Sequence, residues 1–404
     1  MLPFPPETGP LLIAGATPVA LGVPSVPTDI LVGADGRVVA AGRGLQAPGD
    51  ARWVDAAGAY VSPGWVDLHT HVWFGGTDIS IRAATCGLER GVTTVVDAGS
   101  AGEANFHGLR EYVIDPARER IRAFLNIGSI GLVACNRVSE LIDIRSIDID
   151  RTIACVEANR DVICGIKVRA SHVILGSWGI TPVKVAKKVA KILRLPLMVH
   201  VGEPPPLYDE VLEILTAGDV VTHCFNGKAG GSIVEDEDLF RLAERCAGEG
   251  IRLDVGHGGA SFSFKVAEIA IARGLMPFSI STDLHNRSLD SPVWDMGTTM
   301  SKLLAVGMPF EKVVEASTLA PMSVIGLPTE GLLAPGARAE FTVFTRDPEE
   351  LRIADSMGHE AVLRELLTPR WTVMGAGLVR ASSYRAARAA AAAACGDCGE
   401  NPAA

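Results

Sequence analysis

Residues 162–203 read VICGIKVRASHVILGSWGITPVKVAKKVAKILRLPLMVHVGE. An apolar run (162–171) gives way to a stretch of helical length and then to a second apolar run (195–203). Thr181 is placed to cap the intervening helix, and Pro182 suits its first turn, where a missing N–H is no loss. Val185, Val189, Ile192 and Leu193 then recur at helical spacing. Lys184, Lys187, Lys188 and Lys191 fall on the other side, which reads as a solvated helix face rather than an anion site. Strand, helix and strand in this order form the repeating unit of a parallel sheet.

The same alternation extends outward in both directions. Comparable runs occur at 64–71 (GWVDLHTH), 92–100, 121–129, 219–225 (DVVTHCF), 251–259 (IRLDVGHGG) and 276–285 (MPFSISTDLH), bringing the total to eight. Eight strands alternating with helices over roughly 260 residues match the size of a closed barrel. The expected fold is therefore α/β, a (β/α)8 TIM-like barrel spanning 62–325. Short β-branched segments between glycine and proline breaks fill both ends of the chain, with a turn signal at Asp35-Gly36. They predict one small β-sandwich built from 1–61 and 326–384. The Ala-rich tail, 385–404, reads as a frayed helix or disorder.

Composition narrows the function. A formal net charge of -10 over 404 residues argues against a general nucleic-acid binder, which needs a basic face for phosphates. No apolar run is long enough to cross a bilayer, and the first residues lack the pattern of a secretory signal. Eight cysteines are mostly scattered singly, as in a reducing cytoplasm. Cys395 and Cys398 form a CxxC, but without a partner pair it reads as a chance spacing. No GxGxxG follows the first barrel strand, so a dinucleotide fold fits less well.

Barrels of this kind carry their chemistry at the C-terminal ends of the strands. Those ends hold His69 and His71 (first run), Lys167 (fourth), His200 (fifth), His223 (sixth) and Asp283 (eighth). His69 and His71 are two apart on a strand and so share one face, and imidazole is a common metal ligand. Taken singly, each histidine reads as an ordinary hydrogen-bonded residue. Together they point to a metal centre. A lysine aimed into an apolar barrel must be paired, neutral or modified. Lys167 either pairs with Asp283 or reaches solvent, or else CO2 has converted it to a carbamate, an anion able to bridge two ions; its company favours the carbamate. Asp283 is a ligand and proton acceptor, or otherwise a helix cap.

These motifs, GWVDLHTH, IKVRAS, MVHVGE, VTHCF and STDLH, resemble the metal-binding motifs of the amidohydrolase superfamily, in its dihydroorotase, hydantoinase and D-aminoacylase branch. The resemblance implies two divalent ions, zinc first among the candidates. His69 and His71 would bind the more buried ion, His200 and His223 the more exposed one, and carboxylated Lys167 would bridge them. Asp283 would bind the buried ion and shuttle protons while a bridging hydroxide attacks the acyl carbon.

Dihydroorotases of that branch usually place an arginine two residues after the second histidine, where this chain has Trp73. KVRASH (167–172), WGITP (178–182), HCFNG (223–227) and DVGHG (254–258) are more similar to the group of amidohydrolase/deacetylases. That likeness implies removal of a small acyl group from an N- or O-acylated α-substituted carboxylic acid. The alternatives are ring opening of a cyclic amide and, in another class, an inactive scaffold; the complete ligand set speaks against the scaffold. Arg169, on the same strand face as Lys167, either holds a substrate carboxylate or neutralises an acid such as Asp97. His172 and His257 either contact substrate or brace loops, and His285 supports Asp283 from behind. The expected partner is a small acylated substrate, with no nucleic acid and no membrane, in a cytoplasmic homo-oligomer.

Overall fold

Five short strands form the N-terminal arm of the computed structural model, which describes residues 8–141 and 143–396. They are β1 (Leu11–Pro18), β2 (Thr28–Val32), β3 (Val38–Gly42), β4 (Arg52–Asp55) and β5 (Tyr60–Pro63). The barrel strands follow: β6 (Trp65–Thr70), β7 (Val92–Gly102), β8 (Arg120–Asn126), β9 (Ile163–Ala170), β10 (Leu197–Val201), β11 (Val220–Thr222) and β12 (Arg252–Asp254). After the last barrel helices come β13 (Glu340–Ala354), β14 (Glu360–Met374) and β15 (Gly377–Arg380).

The seven strands β6 to β12 pair in sequence order, all parallel, as one curled sheet. Every residue of β6 and β7 is buried, as expected of parallel strands covered on both faces. The run at 276–285, expected as an eighth strand, makes isolated bridges instead: Ser279 to Asp254 on β12, and Leu284 to Thr70 on β6. It thereby joins the two edges of the sheet and gives the TIM-barrel-like form. Its departure from a regular ladder has a local cause. Ser279 and Ser281 donate their hydroxyls to Asp254, and Thr282 donates both N–H and hydroxyl to Asp67. Side-chain acceptors thus take over part of what a strand partner would supply.

Both chain ends build one mixed eight-stranded sheet in the order β15-β14-β13-β5-β1-β2-β3, with β4 beside β1. Its own apolar core includes Leu11, Ile13, Ile30, Val61, Phe341, Val343 and Val373. β13 also reaches the barrel. Phe344, fully buried, packs its ring 5.4 Å from Trp65 at the start of β6 and 5.7 Å from Tyr60. Beyond this contact the β13–β14 hairpin runs on past the mixed sheet, and its turn returns to the barrel at Phe262 and Phe264.

The helix Thr181–Leu193 begins at Thr181 itself, with Ile180 in the cap position and Pro182 in the first turn. Its buried face comprises Val183, Ala186, Val189, Ala190 and Leu193, whereas Ile192 is 51% exposed. The lysines are not all solvated. Lys187 is buried and paired with Asp219, with a further bond to Thr216, because Asp219 offers a charge partner beneath the helix. At the C-terminus, Tyr384–Gly396 is helical. Cys398, the second member of the Cys395–Cys398 pair, lies outside the described residues. Among these, Cys86, Cys135, Cys155, Cys164, Cys224 and Cys246 are free thiols, and no helix is long and apolar enough to cross a membrane.

Phe344→Ala removes the ring that ties β13 to the barrel floor. It should cost about 3 to 5 kcal/mol of unfolding free energy, read as a lower midpoint in urea denaturation.

Candidate metal centre

The six expected ligands meet at one end of the curled sheet. His69 lies on β6 and His71 just beyond it, Lys167 on β9, His200 on β10, and His223 directly after β11. Asp283 sits in the bridging segment and donates its N–H to the His69 carbonyl (2.7 Å). Asp283 Oδ1 stands 3.2 Å from His71 Nε2 and 3.4 Å from His69 Nε2, while Oδ2 is 4.0 Å from His223 Nε2. Ligand atoms of His69, His223 and Asp283 all fall within 4.8 Å of one another. His200 joins them through Nδ1, 2.8 Å from His223 Nε2. Two members hold their place through unusual backbone: His223 (φ 72°) and Asp283 (φ 48°) lie in the left-handed region, which non-glycine residues rarely adopt outside functional sites.

The hydrogen bonds behind the rings decide what each ring offers. Asp254 is buried and accepts hydroxyls from Thr222, Ser279 and Ser281 at 2.7–2.8 Å. Thr222 therefore spends its proton on Asp254 and must accept from His69 Nδ1, 2.8 Å away. His223 Nδ1 faces the Gly256 carbonyl at 2.5 Å, which can only accept. Both rings consequently carry their lone pairs on Nε2, aimed at the cluster. His71 Nδ1 is held by Ser100 Oγ at 3.0 Å, and Ser100 by Asp97.

Charge follows the same logic. Burial pushes His69 and His200 well below the usual histidine range, and His223 to about 4. All three are neutral bases at pH 7. Burial pushes Asp283 upward, but the facing imidazoles of His69 and His71 reverse this and hold it well below the usual carboxylate range. Lys167, also buried, is pushed down to about 7 against the pull of Asp283 and Asp254. Its Nζ lies 3.3 Å from His69 Nε2 and 3.4 Å from Met198 Sδ; neither partner is a carboxylate. Neutral nitrogen donors around an ionised carboxylate are the donor set a divalent cation requires.

The centre forms the floor of a cavity of about 430 Å³ whose wall includes Arg137, Arg169, Glu203, Lys228 and Arg287. Arg169 reaches this wall while making a bidentate pair with buried Glu140 (2.6 and 2.7 Å), not with Asp97. Burial opposes its charge, but Glu140 outweighs that and holds the guanidinium above its usual range. Glu203 is bonded to Ser171 and to Lys228 (2.7 Å). His285 also faces the cavity. The other two candidate contacts lie elsewhere. His172 is exposed at the start of the short helix His172–Leu175. His257 is fully buried, stacked on Phe262 and 2.8 Å from Lys302 Nζ. Neither lines the cavity.

Sequence reasoning named the residues that meet at this end of the sheet and missed the residues behind them. Thr222 and Asp254 stand inside quoted motifs, directly before His223 and two before Gly256, and a search for hydroxyl and carboxylate partners of the histidines could have marked them. Glu140 and Lys302 carry no local signal. Lys302 sits in MGTTMSKLLA, where a single lysine reads as a solvent-facing position.

A curled parallel sheet with His-x-His ending its first strand, two further strand-end histidines and an aspartate closing the ring defines a metal-dependent hydrolase. The amidohydrolase family matches residues 60–374, and the chain belongs to it. It is 66% identical over 381 residues to Deacetylase Atu3266 of Agrobacterium fabrum, covering 94% of each chain. It is equally 66% identical over 380 residues to a deacetylase of Brucella anthropi, again with 94% of each covered. Among solved structures, a crystal structure described as a dihydroorotase shares 65% identity with a TM-score of 0.91, over 93% of this chain and 99% of that one.

Thr222→Val keeps the shape of the side chain but leaves His69 Nδ1 without an acceptor and Asp254 short of one donor. Outer partners of metal-bound histidines are worth about 10- to 100-fold in metal affinity. Zinc titration of the metal-free protein should show weakening of that order, with the circular dichroism spectrum unchanged.

Proposed function

We propose that the chain is a deacetylase-type hydrolase that removes a small acyl group from an N- or O-acylated α-substituted carboxylic acid. The observation that carries this is one ionised carboxylate, Asp283, set among buried imidazoles on the floor of a cavity with cationic walls. Two divalent ions, zinc by preference, would be held by His69, His71 and Asp283 on one side and by His200 and His223 on the other. Lys167 as its carbamate would stand between them. Such ions supply Lewis acidity and bring the ionisation of a bound water to near neutral pH.

The chain's own part is positioning and proton transfer. Asp283 accepts the proton of the attacking water and returns it to the departing nitrogen or oxygen as the acyl C–N or C–O bond breaks. The acyl carbon leaves as a carboxylate, and the water's second proton ends on the released amine as its ammonium or, when the leaving group is an alcohol, in solvent. Arg169, Lys228, Arg137 and Arg287 give the substrate's own carboxylate a cationic wall to meet. Arg169 is the one of the three expected contacts on that wall, with Nη1 left over from its Glu140 pair. The amine of Lys167 supports the carbamate: drawn down to about 7 and hydrogen-bonded to no carboxylate, its unprotonated form can attack CO2 and release a proton to become the anion that the centre lacks.

Ring opening is the second reading, favoured by the likeness to the crystal structure described as a dihydroorotase. Against it, the position two beyond His71 is Trp73, whose ring packs on Gly76 and away from the cavity. A small-molecule substrate, a cytoplasmic setting and a homo-oligomeric state complete the proposal; the free thiols of the described residues are in keeping with a reducing compartment.

Zinc-loaded protein should hydrolyse N-acetyl-D- or L-amino acids or O-acetyl α-hydroxy acids. Asp283→Asn should lower kcat by about 10²- to 10⁴-fold. Turnover of dihydroorotate or hydantoins alone would move the chain to the ring-opening branch. Protein prepared with isotope-labelled bicarbonate should show a carbamate carbon resonance that is missing from Lys167→Met; a wild-type spectrum without it would remove the carbamate from the centre.

A further inference from the structure

One buried lysine has no place in the chemistry above. Lys302, on the helix Met296–Ala305, is fully buried and does not line the cavity. Its Nζ lies 2.8 Å from His257 Nε2, 2.7 Å from the Pro292 carbonyl and 3.1 Å from the Ala354 carbonyl. Burial draws this amine down to about 7, and in its ammonium form it has three protons for these three acceptors. The arrangement also fixes the ring of His257. With Nε2 accepting from Lys302, Nδ1 carries the proton and donates to the Gly258 carbonyl at 2.9 Å. Ser356, on the β13–β14 turn, donates to the same carbonyl at 2.8 Å.

What is held in this way is the turn Gly256-His257-Gly258, and both of its glycines touch the metal centre. The Gly256 carbonyl is the acceptor that orients His223. Gly258 lies so close to Asp283 that a Cβ there would come within 2.5 Å of Oδ2; at Gly256 one would come within 2.1 Å of Thr222 Oγ1. Both glycines have positive φ, 46° and 56°, a conformation that glycine alone adopts freely and that glycine alone would also leave easily. The turn's own N–H groups are bound on one side, His257 to the Ser281 carbonyl and Gly258 to that of Thr282. On the other side the fastening is Lys302, His257 and Ser356.

We propose that Lys302 is a positioning residue for the metal centre: through His257 it locks the 256–258 turn, and the turn sets the orientation of His223 and the space available to Asp283. The hairpin of the mixed sheet completes the clamp from outside through Ala354 and Ser356. The two-ended sheet thus acts on the centre, at a distance, through one ammonium and one hydroxyl. A lysine suits the task because no other side chain sends three donors from one atom down a long apolar stem. This proposal rests on the reading of His223 and Asp283 as metal ligands.

The test is zinc titration of metal-free protein, which needs no substrate. Lys302→Met should bind zinc about 10- to 100-fold more weakly than wild type. The double variant Lys302→Met/His257→Ala should bind no more weakly than the worse single one, because both break the same link. Lys187→Met, which removes a buried lysine paired with Asp219 far from the turn, should lower stability and leave zinc affinity at the wild-type level. On any substrate the wild type turns over, Lys302→Met should lower kcat with KM unchanged. Wild-type zinc affinity in Lys302→Met, multiplied losses in the double variant, or a rise in KM with kcat intact would overturn the proposal. Failure of the wild type to bind zinc would overturn the centre and the proposal together. Should Lys302→Met not fold, Ser356→Ala carries the test: the hydroxyl is only half-buried, and its loss should weaken zinc binding measurably, whereas wild-type affinity there would overturn the clamp.

Discussion

An imidazole offers a metal ion a lone pair only from the nitrogen that does not hold the proton, so a site built from histidines is decided by what stands behind each ring. In this chain the decision begins at Asp254. Its buried carboxylate takes the Thr222 proton, which obliges Thr222 to accept from His69 and leaves His69 Nε2 bare toward the cluster. The Gly256 carbonyl does the same for His223. Were either partner lost, the ring could turn its N–H inward, and a donor would stand where an acceptor of positive charge is required. The barrel's closing segment owes its irregular course to the same residue, since Ser279 and Ser281 also serve Asp254. The supports of the centre and the closure of the sheet therefore compete for one carboxylate, and the sheet yields.

The second constraint is electrostatic. Four imidazoles, an amine and a carboxylate share one largely buried floor, and none can be charged freely there. Burial answers by keeping His69, His200 and His223 neutral and drawing Lys167 down to about 7. Asp283 stays ionised. A divalent cation entering such a site meets one negative charge and several lone pairs, which leaves the cation's charge undercompensated. An amine at that position that could become an anion would correct this, and the wall cations above the floor would then face substrate rather than the centre.

The reading of the sequence reached far into this arrangement because barrel strands leave a strong local imprint. GWVDLHTH and LPLMVHVGE are apolar runs with a histidine where the chain leaves the sheet, and the fold brings all such ends together. The mixed sheet of the two termini was legible from its turns and β-branched runs. The eighth run was legible as a segment but not as a set of bridges, because its hydroxyls bond to Asp67 and Asp254, more than 20 residues away in sequence. Lys187 was misread as solvated: spacing alone places it with three exposed lysines, and only Asp219, brought in from the neighbouring unit, makes its burial affordable. Arg169 was placed correctly on the cavity wall while its acid partner was not, since Glu140 comes from an irregular loop with no periodicity to follow.

What escapes a sequence reading here is consistently a side chain that acts on another side chain. A ligand at a strand end is fixed by the backbone and can be read from register. Its partner is fixed by packing, and packing joins positions as remote as 257, 302 and 356. This also explains why the glycines at 256 and 258 look like loop filler in the sequence. Their value lies in what they lack. Each leaves room for an atom that a Cβ would crowd, Thr222 Oγ1 and His223 Nδ1 at the one and Asp283 Oδ2 at the other. A turn chosen for such emptiness has little rigidity of its own, so the stiffness that a metal site needs must come from neighbours that never touch the metal.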